Sequence, residues 1–158
     1  MTEELKIIQD SKEKQYQSIL AQIEALISGE EDLIANLANI AAALKQQFDW
    51  WWIGFYVVRH NELVLGPFQG PVACTRIAKG RGVCGAAWQQ KTTLIVEDVE
   101  QFPGHIACSS ASTSEIVVPV FDREGKVAAV LDADSEHLAH FNETDQLFLE
   151  KLCKLIKL

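Results

Sequence analysis

Trp50-Trp51-Trp52-Ile53-Gly54-Phe55-Tyr56-Val57-Val58 is where the chain changes its period. Before this stretch, apolar residues recur every three or four positions. Within it, aromatic and β-branched residues follow one another, the composition of a strand. His60-Asn61 then supplies a turn and Glu62 to Leu65 a return strand, so the stretch opens a hairpin. Along a strand Trp52, Gly54 and Tyr56 share one face, and Gly54 leaves a gap between two aromatic rings. Clustered aromatics usually form a core stripe. A wall of a ligand pocket is the sharper reading, and spacing alone ranks it second.

Upstream, Leu5 to Ser28 reads as a helix. Tyr16, Ile19, Leu20, Ile23, Leu26 and Ile27 line one face, and Gly29 ends it. A second helix begins near Glu31 and places Leu33, Leu37, Ile40 and Leu44 on one stripe. Such a pair could pack on a sheet, or one helix could pair with another subunit to give a homodimer.

Downstream of the hairpin, Pro67, Gly70 and Pro71 make a loop and Val72 to Ile77 a short strand. Lys79-Gly80-Arg81-Gly82 turns into a short helix, Val83 to Gln90, followed by a strand from Thr92 to Val96. A long loop runs from Glu97 to Cys108. Glu115 to Phe121 and Lys126 to Asp132 form a second hairpin around Asp122-Arg123-Glu124-Gly125. Asn142, with Asp145 three residues on, caps a final helix whose apolar face carries Phe148, Leu149, Leu152, Cys153 and Ile156. Strand runs bracketed by terminal helices imply an α+β domain with a central antiparallel sheet. Helices are expected on one face and a loop-walled pocket on the other.

At 158 residues the chain reads as one domain with a sizeable core. Hydrophobic content of 48 % and charged content of 23 % are those of a soluble globular protein. A net charge of −8 argues against a nucleic-acid surface, which needs clustered Lys and Arg. No apolar run approaches the roughly 20 residues of a membrane span, and the N-terminus lacks a signal-peptide pattern. The expected location is the cytoplasm, with no membrane or nucleic-acid partner.

In a reducing cytosol, four cysteines point away from structural disulfides and towards reactive or metal-binding roles. The bland alternative, small buried hydrophobes, suits Cys153. Cys108 is different. It follows Pro103-Gly104-His105 in a run of small residues, where backbone N–H groups could also cradle a carboxylate. His105 could lower the thiol pKa of Cys108, or simply face water. With Cys74 and Cys84 it makes a Cys₃His set on paper, but the spacings match no ordinary zinc site, and no metal or cofactor is expected. Asp132 and Asp134 lie two apart on a strand, so their side chains point the same way, and Glu115 sits on the neighbouring strand. The three could bind an ammonium group or a metal, or hold one carboxyl protonated. Alternatively they face water at a strand end.

Taken in order, Trp52-Ile53-Gly54-Phe55-Tyr56, Cys74, Arg81-Gly82-Val83-Cys84-Gly85, Phe102-Pro103-Gly104-His105-Ile106-Ala107-Cys108, Ser114-Glu115-Ile116-Val117-Val118-Pro119 and Leu131-Asp132-Ala133-Asp134-Ser135 resemble the free methionine-(R)-sulfoxide reductases. These are stand-alone GAF-domain enzymes. The resemblance implies a GAF domain over 1–158, with an N-terminal helix in 1–28 and a catalytic core in 29–158. It makes Cys108 the nucleophile, Cys74 its resolving partner and Cys84 an accessory thiol. Glu115, Asp132 and Asp134 become substrate contacts, and Trp52 and Tyr56 pocket walls. In the family an acid often follows the nucleophile, whereas this chain has Ser109.

The implied chemistry is reduction of free methionine-(R)-sulfoxide. A Cys108 thiolate attacks sulfur, Asp134 or Glu115 protonates the departing oxygen, and methionine leaves a sulfenic acid. Cys74 converts this to a disulfide, which thioredoxin reduces. Backbone groups from Ser109 and Ser110 to Ala111 would hold the substrate carboxylate. The competing class is a GAF sensor that only binds a small ligand, which has no need of a cysteine trio beside acids.

Overall fold

The computed structural model describes residues 4–105 and 111–158. Six antiparallel strands, β1 (Trp52–Arg59), β2 (Glu62–Gln69), β3 (Arg76–Ala78), β4 (Leu94–Val96), β5 (Ser114–Phe121) and β6 (Val127–Ser135), lie in the order β3-β2-β1-β6-β5-β4. Helices α1 (Lys12–Ile27), α2 (Leu33–Phe48), α3 (Gly82–Gln90) and α4 (Glu143–Leu155) complete the fold, with a 3₁₀ turn at Val99–Gln101. The α+β arrangement expected from the sequence is the one observed.

The local signals explain most boundaries. His60 and Asn61 both take positive φ, 49° and 67°, which lets a two-residue turn follow the strand twist. Asn142 and Asp145 form a complete capping box on α4. Several boundaries move. β2 runs on through Pro67, where a loop was expected, to Gln69, because β1 pairs with it as far as Ile53, and β6 continues past Asp132 to Ser135 opposite Ser114. The first helix begins at Lys12, after Ser11, whose hydroxyl accepts from Lys14 N–H; residues 4–11 are not helical. The third strand begins at Arg76, because Val72 is 87 % exposed and the segment before Arg76 is not laddered to β2.

The sheet divides the interior. Ile53, Phe55 and Val57 of β1, Ile116, Val118 and Val120 of β5, and Ala129, Leu131 and Ala133 of β6 pack against α1, α2 and α4. Burying each Ile or Leu there contributes about 1.5–3 kcal/mol relative to exposure. The alternate residues face the other way, where Val83, Cys84, Ala87 and Trp88 of α3 meet Trp52, Tyr56, Val117 and Val130. Helices were expected on one face only. Three are there, and α3 stands on the opposite face because its buried side chains fill the space beside the pocket.

One polar knot ties the ends of the chain together. Asp145, 1 % exposed, accepts from the Tyr16 hydroxyl at 2.5 Å and from Lys12 Nζ at 2.7 Å while it caps its own helix. Its two oxygens are thereby paired, as a buried carboxylate requires. Among the described residues no helix is long and apolar enough to cross a membrane.

Candidate active site

Ladder register builds the site. Trp52 pairs with Asp134, and Asp134 with Glu115, in one row across β1, β6 and β5. Gly54 pairs with Asp132, and Asp132 with Val117, in the next row. Directly paired residues share a face of a sheet, so three acids and an indole converge without any loop to aim them. This pocket face belongs to the even-numbered residues 52–56 of β1 and 130–134 of β6. The aromatic stripe is therefore a pocket wall, the reading that spacing had ranked second.

The half-open pocket, with solvent at its mouth included, holds about 580 Å³. Trp52, Tyr56, Cys84, Glu115, Asp132 and Asp134 all line it, so every described candidate except Cys74 is brought to one cavity. Trp52 stacks on Phe68 at 5.2 Å and lies 6.0 Å from the Tyr56 ring. Gly54 makes room for this. A Cβ there would come within 2.4 Å of Phe68 Cβ and 2.7 Å of Trp52 Cη2.

The electrostatics are those of acids held away from water. Burial, reinforced by the charges of Asp132 and Asp134, raises the Glu115 pKa well above the ordinary range. Asp134 is raised in the same way, by burial and then by Asp132, although the Ser112 hydroxyl donates to its Oδ1 at 2.6 Å. Burial also raises Asp132, whose Oδ1 is buried with no hydrogen-bond partner among the described residues. The water-facing alternative is thus overturned for Glu115 and Asp132. An orphaned carboxylate oxygen beside acids that favour protonation suits a cationic guest with hydrogens to donate.

Cys84 is buried and free, with its Sγ 4.0 Å from Glu115 Oε1. Burial and the neighbouring acids hold its thiol neutral, so it is a poor nucleophile in this state. Cys84, Glu115 and Asp132 have ligand atoms within 4.8 Å of one another, a geometry that could hold a metal. Cys153 is buried on the core-facing side of α4 and does not line this pocket. Cys74 is disulfide-bonded. Cys108, Ser109 and Ser110 lie outside the described residues. His105 lines the pocket, and burial lowers its pKa below the usual 6.5, so at neutral pH it is uncharged and not a standing cation for a thiolate.

Two lining residues were not singled out from the sequence. Ser112 holds Asp134, and in the sequence it stands only as the last of a run of small residues. Arg81, exposed at the start of α3, brings a positive charge to the mouth of an otherwise acidic pocket. It stood inside a recognised motif without a role.

The GAF domain family pattern matches residues 28–158. GAF domain-containing protein A of Dictyostelium discoideum is 60 % identical over 157 residues, 99 % of either chain. The free methionine-R-sulfoxide reductase of Saccharomyces cerevisiae is 43 % identical over 154 residues, covering 92 % of this chain and 86 % of that one. In structure, the chain is similar to the free methionine-R-sulfoxide reductase from Neisseria meningitidis in complex with its substrate. That likeness has a TM-score of 0.95 at 54 % identity and covers 98 % and 93 % of the two chains.

Proposed function

The chain belongs to the GAF domain family, among its free methionine-R-sulfoxide reductases, and on that premise we propose that it reduces free methionine-R-sulfoxide to methionine through a cysteine sulfenic acid. The observation that carries the chemistry is the buried acid set. A sulfoxide oxygen leaves only when protonated, and Glu115 and Asp134 are carboxyls whose hold on a proton burial strengthens well beyond the ordinary carboxylate range. Asp132, with its unpaired buried Oδ1, is the natural partner for the substrate ammonium.

In this reading the Cys108 thiolate attacks the sulfoxide sulfur while a pocket carboxyl gives its proton to the oxygen. The attack forms a bond between the two sulfurs; the hydroxyl then passes from the substrate sulfur to Cys108, the sulfur–sulfur bond breaks, methionine departs, and Cys108 is left as a sulfenic acid. Cys74 then attacks that sulfur, water leaves, and a disulfide remains for a dithiol such as thioredoxin to reduce. The disulfide-bonded state of Cys74, beside free Cys84 and Cys153, supports this assignment. Trp52 and Tyr56 pack on the thioether end, where sulfur–aromatic contacts contribute roughly 0.3–1.5 kcal/mol. Arg81 and the backbone from Ser109 to Ala111 take the carboxylate.

The test follows NADPH oxidation through thioredoxin and its reductase with the separate R and S epimers of free methionine sulfoxide. Turnover is expected for R alone and is expected to vanish in Cys108→Ser. Equal rates for both epimers would overturn the stereochemical assignment. A fully active Cys108→Ser would move the nucleophile to another thiol.

A further inference from the structure

We propose that Tyr56 is the positioning residue of the recycling half-reaction, its hydroxyl holding the backbone of Cys74 so that the Cys74 thiolate meets the oxidised nucleophile. The inference rests on the reading above, in which Cys74 resolves a sulfenic acid on Cys108.

The segment between β2 and β3 carries Cys74 and is not laddered to β2, yet it is anchored at three successive points. Trp52 Nε1–H donates to the Pro71 carbonyl at 3.0 Å. The Tyr56 hydroxyl donates to the Cys74 carbonyl at 2.8 Å. Leu65 N–H donates to the Thr75 carbonyl at 2.9 Å. Between the first two anchors stands Val72, 87 % exposed, with no packing of its own to set the path of the chain. Gly70 presses directly on the indole: a Cβ there would lie 2.8 Å from Trp52 Cδ1. The two pocket-wall rings therefore act as a splint for the loop, and the bond nearest the thiol is the phenolic one.

Tyr56 is suited to this. Its ring is 2 % exposed and its pKa is raised, by burial first and then by the charge of Asp132, so it remains a donor throughout the working pH range. The bond it makes uses a backbone acceptor, so it constrains where the Cys74 Cα sits, whatever the thiol does. In the step it serves, the Cys74 thiolate attacks the sulfenic sulfur of Cys108. The sulfur–oxygen bond breaks, the oxygen leaves as water with a proton equivalent to the one the Cys74 thiol gave up, and one disulfide bond forms. Thiolate attack of this kind depends on approach to the sulfur, which is what a fixed Cα provides.

The experiment compares full-length wild type, Tyr56→Phe and Trp52→Phe, all confirmed as folded. Two quantities are read: the Cys74–Cys108 disulfide potential in dithiol redox buffers, and the lifetime of the sulfenic acid, trapped by dimedone after mixing with methionine-R-sulfoxide. Neither depends on how tightly substrate binds once the cysteine is oxidised. Tyr56→Phe is expected to weaken the disulfide roughly three- to tenfold, the effect of one hydrogen bond. That raises its potential by about 15–30 mV and lengthens the sulfenic acid lifetime. Trp52→Phe, which keeps a ring and loses the more distant anchor, should shift both in the same direction by less. An unchanged potential and lifetime in both variants would overturn the proposal while leaving the enzyme reading intact. A wild-type protein that yields methionine but never forms the Cys74–Cys108 disulfide would overturn the reading on which it rests.

Discussion

Glu115 and Asp134 stand directly opposite each other on β5 and β6, two carboxyl groups on the same face of the sheet. Their folded-state pKa values are both raised, by burial before anything else. Below about pH 4, the ordinary carboxylate range, both are protonated whether the chain is folded or not, and they cost nothing. As the pH rises the unfolded chain ionises first, so stability falls through the window that ends at the raised folded values. Glu115→Gln removes one charge and should make the unliganded protein more stable by about 0.5–2 kcal/mol at pH 8. That gain should vanish near pH 4, and turnover should fall. Urea unfolding of both proteins at the two pH values checks it; a gain that persists at pH 4 would have another cause.

Recognition of a free amino acid requires both of its charges. N-acetylation of methionine-R-sulfoxide removes the ammonium that Asp132 would hold and should lower kcat/KM by about 10- to 100-fold. Arg81→Ala should act at the other end, raising KM more than it lowers kcat. Steady-state kinetics on the two compounds with the two proteins separate these effects. Equal reduction of the acetylated compound would exclude Asp132 as the ammonium ligand.

Tyr16 and Asp145 test the knot that fastens α1. Tyr16→Phe deletes the 2.5 Å hydrogen bond to a buried carboxylate and should cost about 1.5–3 kcal/mol. Asp145→Ala removes the capping box as well and strands Lys12, so about 3–5 kcal/mol is expected. Denaturant midpoints measure both. Activity per folded molecule should be preserved, since neither residue approaches the pocket.

Gly54→Ala should damage the pocket more than the fold. Its Cβ would collide with Phe68 and displace the Trp52 ring, at a cost of about 1–3 kcal/mol for overpacking. The KM should rise with it. Gly29→Ala is the matched control, because a Cβ there meets nothing within 4 Å. Thermal unfolding and substrate titration of the pair distinguish a local clash from a general intolerance of alanine.

Much of this architecture is legible in the sequence. The alternation from Trp52 to Val58, the His60-Asn61 turn and the Asn142 cap are local signals, and the elements they specify formed where expected. Alternation also told that Asp132 and Asp134 point the same way. It could not tell whether they meet water, because that depends on the joint register of β1, β6 and β5 and on α3 closing the same face. The start of α1 was misread for a similar reason. Lys12 is tied to Asp145 across 133 positions, and no window along the chain contains both. The expected strand at Val72 failed because two side chains of β1, with a single backbone bond from Leu65 of β2 at Thr75, hold that segment in place of a ladder.

The division of the sheet into two faces also bears on how such a chain can vary over generations. Substitutions at the even-numbered positions 52–56 of β1 and 130–134 of β6 reshape what the pocket accepts, whereas those at the odd positions between them alter the packing under α1, α2 and α4. Adjacent residues thus answer to separate selective demands. A lineage can drift towards a new ligand by single exchanges at 52, 56, 132 or 134 while its foundations stay untouched, and compensating changes behind the sheet need not disturb the chemistry in front.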